Sequence, residues 1–309
     1  MQPGPAGAPR PRAHAIAVGA LCATSIYRVA QIPPAPAKAL ADRLVRVVDG
    51  MAVSAACAFA RLGGTAAIWA RCGDDEQGRA ARATLAAESL DVQGLHTVPG
   101  SASSQASVIV DGRGERLVVP YHDPQLDASA QWLPLHRLRE ADVLLCDVRW
   151  PEGAETAMLA ARAAGVPCVL DGEVAAAGVL ERLVPLASHA VFSDAGVLAY
   201  TGCSQVEAAL LAVARDHPGH VGASCGAAGY AWVEGSVVRR VPAPAVQVVD
   251  TLAAGDVFHG AFALALAEGR GVEAAARWAC QAASLKCTRF GGRLGCPTRA
   301  ELQAWLEAS

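Results

Sequence analysis

Short apolar runs alternate with Ala-rich amphipathic stretches along most of the chain. Residues 15–20 read as a first strand and 53–62 as a helix stopped by Gly63-Gly64. A short strand at 66–70 and a helix at 78–89 follow. Residues 107–110 and 116–119 flank Asp111-Gly112-Arg113-Gly114, a hairpin signal because glycine tolerates positive φ. Strands at 142–146, 167–170 and 190–192 then alternate with helices at 152–164, near Leu180 and at 205–216. Wholly apolar short strands are buried on both faces, and their alternation with helices implies an α/β fold: a mostly parallel sheet between two helical layers. Ligands bind beyond the carboxyl ends of such strands. That singles out Asp147 and Arg149, Asp171 and Glu173, and Ser193 and Asp194.

A length of 309 residues suits one large domain with a small appendage as well as two domains. A net charge of −3 gives no electrostatic reason to expect nucleic acid or an anionic membrane as partner. The ten cysteines lie singly among apolar residues, without Cys-x-x-Cys spacing, and read as reduced core thiols of a cytoplasmic protein. Arg10 and Arg12 precede an apolar run that faintly resembles an export signal, but His14 and Gly19 break it and a first core strand explains it better. Residues 1–12, rich in Pro, Gly, Ala and Arg, are expected to be disordered.

The most informative segment runs from Val249-Asp250-Thr251-Leu252 through Ala253-Ala254-Gly255 to Asp256-Val257-Phe258-His259-Gly260. An extended approach meets tiny side chains, and an Ala/Leu helix follows to about Glu268. The first amides of a helix lack internal partners and lie at the positive end of its dipole, so they suit an anion. An Asp held there can take a proton from an attacking hydroxyl. Taken alone, Asp250 and Asp256 read equally well as helix caps. Upstream, Ser224, Gly226 and Gly229 follow a strand-like Val221, where glycines let a nucleotide approach backbone.

Asp250-Thr251-Leu252-Ala253-Ala254-Gly255-Asp256 resembles the carboxy-terminal motif of the ribokinase-like (PfkB-type) sugar kinases. Other resemblances keep the family order: Asp49-Gly50, Arg71-Cys72-Gly73-Asp74-Asp75, the 226–229 stretch, and Arg289-Phe290-Gly291-Gly292. Within the class the chain looks most like the 6-deoxy-6-sulfofructose kinases, on Asp147-Val148-Arg149-Trp150, Ser104-Gln105-Ala106-Ser107 and Val257-Phe258-His259-Gly260.

The resemblance implies a three-layer α/β/α domain over residues 13–309, with a β-sheet lid from about 24–48 and 103–122, and a homodimer formed through the lid. It implies ATP with Mg2+, and phosphoryl transfer to a primary hydroxyl of a ketose. Asp256 would be the base, and the amides of Ala253, Ala254 and Gly255 would stabilise the transferring group. The nucleotide would meet Ser193, Ser224, Gly226, Gly229, Thr251 and Cys287. The sugar would meet Thr24, Asp49, Gly50 and Ser54, with Lys38 and Arg149 on a sulfonate. A guanidinium suits that anion, although Arg149 could instead pair with Asp147 or Glu152. Asp250, Leu252, Lys286 and Gly291 would match a monovalent cation (K+) site.

The chain departs from the family at several of these places. Thr24 stands where an Asp is usual, Asp49 where a Gly is, Ser54 where an Asn is, and Ser193-Asp194-Ala195-Gly196 where Asn-x-x-Glu is usual. Pro120 replaces an Asn of the sulfosugar kinases. The alternatives are a kinase for a neutral ketose, ribose or sugar phosphate, and a weakly catalytic relative that senses sugar or nucleotide. A dinucleotide dehydrogenase fits poorly, because no Gly-x-Gly-x-x-Gly turn follows the first strand.

Overall fold

A computed structural model describes residues 12–308, so residues 1–11 of the expected tail lie outside the described residues. The strands are β1 (His14–Gly19), β2 (Cys22–Arg28), β3 (Arg43–Asp49), β4 (Thr65–Gly73), β5 (Leu95–Val98), β6 (Gln105–Val110) and β7 (Arg116–Tyr121). They continue as β8 (Val143–Asp147), β9 (Cys168–Gly172), β10 (His189–Ser193), β11 (His220–Ser224), β12 (Tyr230–Glu234) and β13 (Val237–Val241). The helices are α1 (Met51–Arg61), α2 (Glu76–Ala87), α3 (Pro151–Ala164), α4 (Val179–Leu183) and α5 (Asp194–Thr201). They are followed by α6 (Val206–Asp216), α7 (Ala254–Ala267), α8 (Val272–Cys287) and α9 (Arg299–Ala308).

Nine strands form one sheet in the order β13-β12-β11-β10-β9-β8-β1-β4-β5. Its pairs are parallel from β5 to β11, and β12 and β13 add an antiparallel edge. Period-two alternation sorts the buried side chains into two layers. Ala15, Ala17, Leu145, Val169 and Val191 face the core shared with α1, α7 and α8. Ile16, Val18, Leu144, Leu170 and Phe192 face the core shared with α3, α4 and α6. Gly260 brings α7 close to α1, since a Cβ there would lie 2.3 Å from the Ala55 carbonyl oxygen.

Four strands form a second, smaller sheet in the order β3-β2-β6-β7. Its central pair β2–β6 is parallel and the outer pairs are antiparallel. Its inner face buries Ile26, Val47, Val108 and Val110, with Leu252 and Phe290 packed against them. The small sheet therefore packs against the loop that leads into α7. The Asp111 carboxylate accepts from the amides of Arg113 (2.9 Å) and Glu115 (3.1 Å), and Gly114 takes a left-handed φ of 81°. These bonds close the predicted hairpin.

Among the described residues no single helix is long and apolar enough to cross a membrane. All ten cysteines are free.

Candidate active site

The carboxyl ends of β8, β9, β10 and β11 and the start of α7 surround a cavity of about 990 Å³. That volume is in the range of pockets that enclose small ligands. Ser193, Ser224, Gly226, Gly229, Thr251 and Cys287 all line it. Gly229 needs its identity there: φ is 89°, and a Cβ would meet the Val241 carbonyl oxygen at 2.0 Å. Ser193 caps α5 through the amide of Gly196 (2.9 Å) and donates to Glu173 Oε1 (2.9 Å). The Glu173 carboxylate on the cavity wall would suit a magnesium ion brought with nucleotide phosphates, which would supply charge neutralisation there.

Ala253, Ala254, Gly255 and Asp256 line the same cavity. Ala253 takes the left-handed conformation (φ 61°) that turns the chain into α7. Its neighbour Gly255 has an ordinary helical φ, and a Cβ there would meet nothing within 4 Å. The left-handed turn therefore falls on the alanine and not on the glycine. The Ala254 amide donates to the Thr251 carbonyl oxygen at 3.2 Å, so it is already engaged. Among the described residues the amides of Ala253 and Gly255 make no such bond and remain available to an anion.

Asp256 stands in the first turn of α7 and faces the cavity. Burial pushes its carboxyl well above the usual carboxylate range, and the negative charges of Asp171 and Asp49 add to this, while His259 opposes them. Asp171, at the end of β9, is raised by burial and then by Asp147 and Glu173. His259, one turn beyond Asp256, is buried, with Nδ1 2.8 Å from the Gly255 carbonyl oxygen and Nε2 3.1 Å from that of Val191. It ties the start of α7 to the sheet.

A second recess of about 140 Å³ adjoins the cleft, and Arg149 lines both. Arg71, Ser104 and His122 line it as well. Arg71 stacks over Trp150 at 4.5 Å and donates to the Asp127 carbonyl oxygen at 2.7 Å. Its Nε is buried without a partner among the described residues, and burial pushes the guanidinium down to about 10. His122 is lowered by burial and then by Arg149 and Arg71. Arg149 gives its backbone amide to Asp147 Oδ1 (2.8 Å), and among the described residues its guanidinium makes no ion pair. Glu152, the other partner considered, pairs with Arg182 at 3.6 Å.

The remaining expected sugar residues are placed differently. Thr24 and Asp49 are buried in β2 and β3, and Ser54 on α1 donates to Asp49. Gly50 begins α1 with φ 115°, and a Cβ there would strike the Ala20 carbonyl oxygen. Lys38 is exposed between β2 and β3. None of these five lines either cavity. The pattern of the sequence missed Arg71, Arg116, His122 and His259 as wall residues. The strand read at 66–70 extends to Gly73 and carries Arg71.

The four positions proposed for a monovalent cation do converge, but not as a cation site. Asp250 accepts from the amides of Leu252 (2.8 Å), Gly291 (2.9 Å) and Gly292 (2.9 Å). Lys286 Nζ lies 2.7 Å from the Asp250 carbonyl oxygen and 3.7 Å from Asp250 Oδ1. The residues present supply donors and a built-in ammonium where K+ would need acceptors, so they do not fit the ion.

A three-layer α/β fold with the Asp256 carboxylate at a helix amino terminus, free amides beside it and a nucleotide-sized cleft suits an ATP-dependent phosphotransferase. The chain belongs to the pfkB family of carbohydrate kinases, whose model matches residues 12–299. It is 28% identical over 281 residues to the ribokinase of Bacillus subtilis, covering 89% of this chain and 92% of the relative. It is 27% identical over 286 residues to the fructokinase of Vibrio alginolyticus, covering 85% and 92%. A crystal structure from Agrobacterium tumefaciens, provisionally called a ribokinase, is 41% identical with a TM-score of 0.91 and covers 96% of this chain and 99% of that one. Ribokinase of Arabidopsis thaliana complexed with ribose and ATP shares the fold, with a TM-score of 0.81 at 22% identity, covering 97% and 100%.

Proposed function

We propose that this kinase transfers the γ-phosphoryl group of ATP to a primary hydroxyl of a ketose that carries an anionic group, a sulfonate or a phosphate, at its other end. The observation that carries this reading is Arg149. Its unpaired guanidinium stands between the main cleft and the 140 Å³ recess, beside Arg71 and His122. Arg149 and Arg71 flank a small recess whose one acidic wall residue, Asp123, is engaged by the amides of Ala102 and Gln125, and a guanidinium binds an anion through directed charge-assisted hydrogen bonds. A 6-deoxy-6-sulfofructose fits this description, as does a ketose phosphate. Lys38, exposed on the segment between β2 and β3, would reach such an anion only if that segment moved over the cleft.

In the reaction, Asp256 accepts the proton of the attacking hydroxyl. The free amides of Ala253 and Gly255 stabilise charge on the transferring group, and positioning supplies most of the remaining rate. His259 holds the Gly255 peptide in place, and Arg116 of the small sheet lines the cleft. Thr251 Oγ1 takes a hydrogen bond from Arg116 Nη1 of β7 (2.6 Å), which brings the small sheet to the edge of the nucleotide site. Residues 13–309 would form the kinase domain, with the lid at about 24–48 and 103–122. The exposed Leu117, Val118, Val119 and Tyr121 of β7 and Leu44 of β3 support a homodimer closed through the lid. Ten free thiols support a reducing, cytoplasmic setting.

The test is ADP release measured on a panel of neutral ketoses, ribose, ketose phosphates and sulfoketoses. Higher kcat/KM on the anionic ketoses is expected. Preference for ribose or a neutral ketose would return the protein to the ribokinase or fructokinase activity of its relatives.

A further inference from the structure

Lys286 is one of the largest fully buried side chains of the protein, and it sits in the last turn of α8, not in the cleft. A lone lysine in the interior loses its hydration and must be matched by acceptors. Its Nζ has two, both from Asp250: the carbonyl oxygen at 2.7 Å and Oδ1 at 3.7 Å. Asp250 is equally buried, so the pair is a closed ammonium–carboxylate unit. Burial lowers the lysine, and Asp250, first among the neighbouring charges, opposes that shift.

The unit lies where the chain turns toward the catalytic helix. Val249 and Asp250 donate their amides to the Cys287 carbonyl oxygen at 2.8 and 3.1 Å, which joins the loop to the residue after Lys286. Asp250 Oδ1 takes the Leu252 amide, and Oδ2 takes those of Gly291 and Gly292. Three amides and one ammonium therefore converge on a single carboxylate. Gly291 (φ 115°) and Gly292 (φ 58°) adopt the left-handed backbone that aims both amides at Oδ2. Two residues beyond Leu252 begins α7, with the amides and the base of the site.

We infer that the Lys286 ammonium is a built-in cation. It neutralises Asp250 and fixes the 250–254 loop, so turnover does not depend on an external monovalent cation. Lys286 is a positioning residue: it acts on the transferring group only through the loop. A free potassium ion needs several oxygen acceptors around one empty point. Here the point is filled by a covalently tethered charge, and the nearby glycine peptides present N–H groups. The inference rests on the kinase reaction and is indifferent to which sugar is used.

The experiment measures kcat and melting temperature of the wild-type protein with any accepted sugar, in choline chloride, NaCl, KCl and NH4Cl at equal ionic strength. Rates and Tm should agree across the four salts within about twofold and about 2 °C, since no ion enters the loop. Activation by KCl of tenfold or more in wild type overturns the inference. Lys286→Ala then removes the tethered charge and leaves room for an ion. Its kcat should fall on the order of 10²-fold in choline, the scale of a misplaced reacting group, with KM for the sugar little changed. KCl or NH4Cl, but not choline, should restore at least about tenfold of that rate and raise the variant's Tm, because the ion refills the site. A soluble variant that no small cation rescues also overturns it. If Lys286→Ala does not fold, the wild-type salt series decides alone.

Discussion

Asp171 Oδ2 lies 3.4 Å from Nδ1 of His259, the ring nitrogen that also sits 2.8 Å from the carbonyl oxygen of Gly255. The acidic floor of the cleft and the amino terminus of α7 are thereby held through one buried ring. His259→Phe keeps a flat aromatic ring and removes the contacts to Asp171, Gly255 and Val191. Losing one net hydrogen bond of about 1 kcal/mol at the helix start should lower kcat about fivefold to tenfold. ATP affinity should change less. Steady-state kinetics on the soluble variant checks this; an unaltered kcat would mean that the turn positions itself.

Asp256→Asn should lower kcat by about 10²–10⁴-fold, the range of a positioned general base. It should also raise the melting temperature of the ligand-free protein. The folded chain holds the Asp256 proton to higher pH than the unfolded chain does, because burial and nearby carboxylates oppose the charge. The native state therefore binds more protons between the ordinary carboxylate value, about 3.9, and the raised one. Stability falls as pH rises through that window, and an uncharged amide escapes the loss. A calorimetric scan at neutral pH that finds the variant less stable than wild type would contradict this account.

The same shift sets the acid side of the activity profile. A base works only when ionised, so kcat/KM should rise with pH through a value above the usual carboxylate range. Asp171 is the first neighbouring charge that raises Asp256. Asp171→Asn should move the acid limb to lower pH, whatever it does to the maximal rate. A limb that stays in place would remove Asp171 as a neighbour that matters.

The turn before α7 separates two kinds of damage. Gly255 has open space where a Cβ would go, so Gly255→Val should leave stability within about 0.5 kcal/mol of wild type. Its side chain would project into the anion site and weaken ATP binding. Ala253 has φ 61°, where a branched side chain is strained, so Ala253→Val should cost about 1–3 kcal/mol of stability. Thermal melts and nucleotide titrations on both variants should give opposite rankings.

Much of this arrangement was legible in the sequence, for physical reasons that also mark where legibility stopped. The central strands β1, β8, β9 and β10 are buried on both faces, and their apolar runs gave them away. The helix after Asp256 announced itself by its small, apolar composition. The small sheet was harder: β2 and β3 mix polar and apolar residues and are joined by an irregular 14-residue segment, 29–42, so only the hairpin side showed clearly. Arg71 was hidden because β4 continues past its apolar run. Its charge is tolerated by stacking on Trp150, a contact no local pattern reveals. Lys286 was read as a position matching a monovalent-cation site, and α8 was not read at all. That its side chain is the cation depends on folding α8 back onto the 250 loop.

Arg149→Met bears on the anionic end of the sugar. The side chain leaves the carboxyl end of β8, where it is exposed and free of ion pairs among the described residues. Its removal should cost the fold little. A sulfonate or phosphate in the recess would lose a charge-assisted hydrogen bond of about 1.5–3 kcal/mol, or roughly tenfold to a hundredfold in KM. A neutral ketose has no charge to match there and should be affected little. Arg71→Met should act on the same substrates but also lose the Trp150 stack and the bond to Asp127, so its effect on stability is the larger. Pro120 of β7 has no amide to offer, so an anion in the recess would meet the two arginines, His122 and Ser104, with Asp123 also on the wall. Equal losses of Arg149→Met on neutral and anionic ketoses would make Arg149 a structural arginine and end the anionic-sugar proposal. The kinase chemistry at Asp256 would stand, because it rests on the other end of the cleft.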